Sequence, residues 1–379
     1  MSRRPLLLLA GAIVFLDTMF FAALTPLLPH YVDRFELSKV GAGVLQAAYP
    51  AGALVGGIPA GIATARLGPR PTAIAGLVLM SGTTLAFGLA DSIWVLDGAR
   101  FVQGFASASA WTAALAWLVS ASPSGRRGQL IGSAMAAAIV GALFGPVLGG
   151  LGSIAGTGVV FGAVGAVGLA LAAWAAATEP PARVEGQSLR LFARAVGDRA
   201  VAGAIWLVTL PALLFGTLSV LAPLRLADLG YGAVAIGVVY LTAAALEAVA
   251  SPVLGAFSDR RGRRLPLMGA CAGAAVVTAL LPWPDHRLLL APLVVAGGVA
   301  FGSFWAPAMS RLTDVAEARG LDYGFAFALM NLAWAPGQAL GSSGGGSLAD
   351  LTSDAVPYLL LSGACLLTLA ALWRSGSSS

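Results

Sequence analysis

Apolar runs of about 20 residues recur along this chain, with only short polar connections between them. That pattern leaves little choice of fold. In lipid, every backbone N–H and C=O has to be satisfied within the spanning segment, so each run is read as a helix. Hydropathy places the runs at 5–29, 40–63, 71–90, 93–119, 129–152, 157–177, 201–224, 233–257, 266–283, 288–311, 323–346 and 355–373. The expected fold is an all-α integral membrane protein with twelve transmembrane helices in two six-helix bundles. Composition agrees, since 58% hydrophobic against 10% charged residues and a mean hydropathy of +0.86 do not suit a soluble domain. The run 323–346 ends in Gly341–Ser347, a linker by composition alone. Between two apolar runs, a helix face of small residues that lets backbones approach is the better reading.

The basic residues give an independent check. With the N-terminus, the even-to-odd connections and the C-terminus on one side, that side holds 17 of the 22 Lys and Arg. The other side has Arg34, Lys39, Arg225 and Arg287, and Arg100 is left within a span. The bias places both termini in the cytoplasm, and short loops without targeting additions favour a bacterial inner membrane. A pI near 9.7 does not imply nucleic acid, because the arginines are dispersed among loops. Met1–Ala10 has the form of a signal peptide, but the apolar run continues past Asp17 to Leu28 and is read as an uncleaved first span. Cys271 and Cys365 lie in apolar runs, and His30 and His286 have no partner at ligand spacing, so no metal or disulfide is expected.

The stretch Gly255–Arg264 carries five charges in ten residues between two apolar runs, and reads as a tight polar turn. Gly61–Arg70 lies 194 residues earlier and has the same frame of Gly, Arg, Gly, Arg, with Ala65 where the later copy has Asp259. Arg127-Gly128 and Arg319-Gly320 match in the same way. The longest connection, 178–199, separates a bundle at 1–177 from one at 200–379 that ends in a short disordered tail. The form G-x-x-x-D-R-x-G-R-R resembles the loop signature of the major facilitator superfamily. Arg100 followed by Gln103-Gly104 is similar to its fourth-helix motif, and Gly141–Gly150, with Gly145-Pro146, to the fifth-helix motif of its antiporter branches. Leu16–Met19 followed by Pro26–Pro29 looks like the first helix of drug/proton antiporters. The resemblance implies parallel halves that rock about a central site. It also implies gating by Gly255, Asp259, Arg260, Gly262, Arg263, Gly145 and Pro146. Ala65 leaves the first copy without its acid, so no gating role goes to it.

Three ionisable residues fall inside predicted spans: Asp17, Arg100 and Glu247. Each costs about 2.5–3.5 kcal/mol at a helix centre on insertion scales, which points to function. Asp17 stands twelve residues after Pro5, about 18 Å along the helix, with Phe20 and Phe21 on its face. A carboxylate beside aromatic rings suits a lipophilic cation or a proton, and an Asp pinned by hydrogen bonds is the structural alternative. Glu247 either titrates during transport or pairs with a basic group. Arg100 either tunes a nearby acid or satisfies backbone carbonyls. Gln46, Tyr49, Asn331, Trp334 and Gln338 are the remaining polar candidates for a substrate pocket, the last three forming one stripe at i, i+3 and i+7.

The sequence has no Walker loop, metal cluster or nucleophile elbow, so neither an enzyme nor an ATP-driven pump is expected, and no cofactor. The expected activity is secondary transport by alternating access, with Asp17, Glu247 and Arg100 coupling protons to outward movement of small hydrophobic or cationic drug-like compounds. The alternatives are a sugar or metabolite uniporter or symporter, or a receptor or scaffold that moves nothing. Expected partners are a small molecule, protons and the lipid bilayer, with a monomeric state and no nucleic acid.

Overall fold

The computed structural model describes residues 4–120, 127–179, 196–321 and 323–374; the side chains of 4, 119–120, 127–133, 135, 259 and 323–327 also lie outside the description. The Asp259 carboxylate and most of the 178–199 connection are therefore outside the described residues. The first half comprises α1 (Arg4–Ala23), α2 (Leu28–Phe35), α3 (Lys39–Leu67), α4 (Pro69–Gly88), α5 (Ile93–Ser120), α6 (Arg127–Ala155) and α7 (Thr157–Ala177). The second comprises α8 (Arg199–Asp228), α9 (Ala233–Arg261), α10 (Arg264–Leu280), α11 (Arg287–Gly302), α12 (Trp305–Ala318), α13 (Tyr323–Leu351) and α14 (Ala355–Arg374). Counting α1 with α2, and α11 with α12, as single crossings gives the twelve expected spans.

Among the described residues, eight helical stretches are long and apolar enough to cross a membrane, and α10 is a shorter apolar helix. The remaining crossings, α3, α5 and α13, carry most of the polar candidates: Gln46, Tyr49, Arg100, Asn331 and Gln338.

Two predicted spans are interrupted. The first, expected as continuous over 5–29, leaves the α-helix at Leu24, passes through a 3₁₀ turn at Thr25–Leu27 and continues as α2. Pro26 and Pro29 supply no N–H, so carbonyls near the end of α1 lose their helical donors. The tenth, expected over 288–311, breaks at Ser303 and Phe304. Gly302 weakens the helix there, and Pro307 cannot donate to the carbonyl four residues earlier. The polar turn at Gly255–Arg264 is shorter than expected. Helix α9 runs through Arg260 and Arg261, and only Gly262 and Arg263 separate it from α10. Gly262 has φ 83° and Gly68, its counterpart after α3, has φ 99°, a region that favours glycine.

The chain packs as two compact units, residues 1–27 with 48–188, and 28–47 with 189–379. Each unit contains a glycine-lined helix pair in close backbone approach. In the first, Gly141, Gly145 and Gly149 of α6 lie on α1. A Cβ at Gly141 would come within 2.3 Å of the Phe15 carbonyl oxygen, and one at Gly149 within 2.4 Å of that of Ala23. In the second, Gly337, Gly341 and Gly345 of α13 lie on α8, where a Cβ at Gly341 would come within 2.3 Å of the Leu213 carbonyl oxygen. The Gly341–Ser347 segment is thus helix, and its small residues form a contact face. A repeated end-cap accompanies these pairs. Arg70 at the start of α4 donates to the Ala176 carbonyl at the end of α7. Arg264, 194 residues later at the start of α10, donates to the Leu372 and Trp373 carbonyls at the end of α14, at 2.9 and 2.7 Å.

Candidate functional site

In the first unit, the break after α1 and the middle of α5 build one polar cluster. Asp17 is 3% exposed. Its Oδ1 accepts from the Tyr49 hydroxyl at 2.6 Å and its Oδ2 from the Trp111 indole N–H at 2.6 Å. The Ser107 hydroxyl is a third hydrogen-bonding neighbour. All three donors are neutral protein dipoles, and among the described residues the carboxylate makes no salt bridge. Phe21 packs against the Tyr49 ring at 5.2 Å. Phe20 is directed elsewhere: it stacks on Phe161, which meets Phe87, in the apolar core of the unit.

Arg100 is 2% exposed, with its guanidinium 4.8 Å from the Tyr49 ring centroid. Its Nη1 donates to the Phe20 carbonyl at 3.3 Å and to Gln103 Oε1 at 2.9 Å, and its Nη2 to the Phe21 carbonyl at 3.3 Å. Gln103 in turn donates to the Thr84 hydroxyl at 2.7 Å. Arg100 therefore acts as a C-cap on α1, satisfying carbonyls where the helix gives way to the 3₁₀ turn. These bonds are those of the carbonyl-clamp alternative, and the same guanidinium also acts electrostatically on Asp17, so both alternatives stay open. Arg100, Gln103, Ser107 and Trp111 follow one another at i, i+3, i+7 and i+11, a polar stripe along α5. Ser107 and Trp111 were not among the expected site residues, and that stripe is the signal that marks them.

In the second unit, Glu247 of α9 lies against the break between α11 and α12. A Cβ at Gly302 would come within 2.3 Å of the Glu247 carboxyl carbon. Among the described residues the carboxylate has no hydrogen-bond or ion-pair partner, so it is not joined to a basic group there. Tyr240, one face of α9 above it, donates to the Leu218 carbonyl at 2.9 Å. Gln338 and Gln46 are buried, while Asn331 and Trp334 are half-buried. The Gln338 backbone carbonyl faces Gly216 of α8.

The gating candidates sit at helix ends and in the α6 contact face. Arg260 and Gly262 are exposed, Gly255 has open space where a Cβ would be, and Arg263 pairs with Asp314 of α12 at 3.4 Å. Gly145 packs on α1 beside Met19 and Ala22, and Pro146 lies within an uninterrupted α6. A cavity of about 500 Å3 in the second unit, lined by Lys39, Arg225, Trp283, Asp354 and Tyr358, includes none of the expected site residues. Its cations are already paired, Lys39 with Asp354 and Arg225 with Asp285. Among the described residues no group of three or more His, Cys, Asp or Glu could hold a metal ion.

Two halves of six spans, each with an acid inside an apolar helix, define a multi-pass membrane protein. Comparison with known proteins identifies the family. The model of the Major Facilitator Superfamily matches residues 9–337, and matches again over 213–378, so the chain belongs to that superfamily. An MFS-type transporter, ppzB, of Metarhizium majus is 33% identical over 144 residues, 36% of this chain and 31% of its own length. An uncharacterized MFS-type transporter of Yersinia pestis is 30% identical over 150 residues, 40% of this chain and 39% of its own. The matches thus span well under half of these relatives. The solved nucleoside transporter NupG aligns with a TM-score of 0.75 and 13% identity, covering 97% of this chain and 99% of that one, a likeness of fold. Membership of a transporter family agrees with the absence of any enzyme signature in the sequence.

Proposed function

We propose that this protein is a secondary active transporter working by alternating access, coupling proton movement to the outward passage of small hydrophobic or cationic compounds across a bacterial inner membrane, with both termini cytoplasmic. The observation that carries this reading is the environment of Asp17. Its carboxylate is buried within a membrane helix, its neighbours donate without carrying charge, and the adjacent Arg100 is engaged with α1 carbonyls. An acid held this way changes charge without breaking an ion pair, which is what a proton carrier in a membrane requires. Phe21 and Tyr49 beside it supply an aromatic wall. Alternating access would engage both bundles, 1–177 and 200–379, with the helix-end arginines as latches.

The test is transport in proteoliposomes under an imposed pH gradient. Wild-type protein is expected to drive uptake or release of a lipophilic cation that collapses when the gradient is dissipated, and Asp17→Asn is expected to abolish the gradient dependence. Gradient dependence that survives Asp17→Asn together with Glu247→Gln would sink the carboxylate mechanism. Transport of a nucleoside without any gradient dependence would favour a metabolite uniporter, and no transport of any tested solute would favour a receptor or scaffold.

A further inference from the structure

At one end of the second unit, the start of α3, the ends of α8, α10 and α13, and the starts of α11 and α14 enclose the cavity of about 500 Å3. That volume falls within the range of small-molecule sites. Part of its wall is apolar, with Leu221, Leu281 and Leu290 all buried. Three charged side chains also line it: Lys39, Arg225 and Asp354, two cations against one acid.

Lys39 and Asp354 neutralise each other. Arg225 is placed differently, because its partner Asp285 is not part of the lining and has its side chain 90% exposed. An exposed pair of that kind contributes little and is readily exchanged. It uses only Nη2 of Arg225, at 2.8 Å, and the other guanidinium donors have no partner among the described residues. Tyr358 adds an independent observation. It is 4% exposed and lines the cavity, and among the described residues its hydroxyl has no hydrogen-bond partner. A hydroxyl buried in this way carries a cost that a ligand's oxygen would remove.

The chemistry of the ligand follows from these groups. One surplus positive charge favours a monoanion, and the open donors of a guanidinium match two oxygens of a carboxylate or phosphate at once. The leucines ask for an apolar body attached to that acid group. We infer that this cavity is a binding site for a small amphipathic monoanion, with Arg225 and Tyr358 holding the acid group. The inference goes beyond the transport reading: the charge recognised is opposite to that of the proposed cargo, and the site shares no residue with the Asp17 cluster. Two sources carry this chemistry, a free organic carboxylate and the phosphate of an anionic lipid.

The experiment is calorimetric titration of 2-naphthoate into the purified full-length protein in phosphatidylcholine nanodiscs at neutral pH, with 2-naphthamide as the uncharged analogue and empty nanodiscs as the blank. Arg225→Gln is expected to weaken naphthoate by roughly tenfold or more and to leave naphthamide within about twofold. Tyr358→Phe is expected to weaken naphthoate several-fold. Asp285→Asn removes only the exposed partner and is expected to leave naphthoate binding unchanged or tighter. An unchanged thermal midpoint establishes that each variant is folded, and should Arg225→Gln fail to fold, Tyr358→Phe decides the question. Nanodiscs containing phosphatidylglycerol separate the two sources. A midpoint raised by phosphatidylglycerol in wild type but not in Arg225→Gln upholds the site with lipid as its occupant; saturable naphthoate binding that phosphatidylglycerol leaves unchanged upholds it with a free solute. Full naphthoate affinity in a folded Arg225→Gln or Tyr358→Phe protein overturns the site, as does a wild type that neither binds naphthoate nor is stabilised by phosphatidylglycerol. Cation transport in proteoliposomes is read separately, so its failure overturns the transport reading and leaves this site standing.

Discussion

The two units treat their intramembrane acids in opposite ways. In the first, both oxygens of Asp17 accept hydrogen bonds, and Arg100 close by is committed to the end of α1. In the second, Glu247 is accommodated by a missing side chain at Gly302 and has no donor among the described residues. Both cost free energy on transfer from water, but only the first recovers part of it within the protein. The contrast separates an acid hydrogen-bonded into the fold from one with no donor among the described residues.

The largest expected effect tests whether the first cluster has any counterpart. Arg100→Met leaves the Phe20 and Phe21 carbonyls and Gln103 without their donor, and is expected to lower stability by about 3 kcal/mol or more. A thermal midpoint in detergent indistinguishable from wild type would show that the clamp on α1 contributes nothing. The glycine seams come next, and here the units are expected to behave alike. Gly145→Ala and Gly341→Ala each force atoms into contact below 3 Å, which is expected to cost about 1–3 kcal/mol. Gly344→Ala, with nothing within 4 Å, is expected to be neutral or to gain up to about 1 kcal/mol. If only one seam responds, the symmetry between the units is superficial.

A smaller effect goes to the centre of the contrast. Tyr49→Phe or Trp111→Phe leaves a buried carboxylate oxygen short of a donor and is expected to cost about 1–2 kcal/mol. Glu247→Gln breaks no hydrogen bond among the described residues and is expected to leave the midpoint unchanged or raised. Equal losses in the two sets would end the distinction. The smallest effect lies at a helix end. Asp198 caps α8 by accepting from the Ala200 and Val201 amides, and pairs with Arg319 at 2.8 Å. The Arg319 guanidinium foremost, with the two amides, holds the Asp198 carboxyl below the usual carboxylate range. A depressed folded-state value means its contribution is present above the unfolded-state value and disappears as pH falls through the folded one. The midpoint difference between wild type and Asp198→Asn is therefore expected to shrink as pH falls below about 4, the unfolded-state value.

The architecture was legible in the sequence because it depends on local quantities. Each crossing has its own apolar run, the arginines mark the turns, and the frame Gly, Arg, Gly, Arg recurs 194 residues apart. The breaks were less visible, although their causes are printed in the chain: Pro26 and Pro29 after α1, Gly302 and Pro307 around the second. Hydropathy averages over such residues, so an interrupted crossing looks like a continuous one. The identity of the acids was also legible, since a charged residue in an apolar run stands out. Their partners were not. Trp111 is 94 residues from Asp17, and Gly302 is 55 from Glu247, separations over which helix periodicity carries no information. Spacing places Phe20 on the same helix face as Asp17, yet its ring packs on Phe161 from another helix.

The glycine seams have a mechanical corollary. Where α6 lies on α1 and α13 on α8, Gly141, Gly149, Gly337 and Gly341 each bring main chain against a carbonyl oxygen of the facing helix, and at those points no rotamer exists that could absorb a displacement. Such joints behave as welds: they either hold or part entirely. Whatever flexing this protein performs has to be hosted by its softer junctions, where side chains can slide past one another.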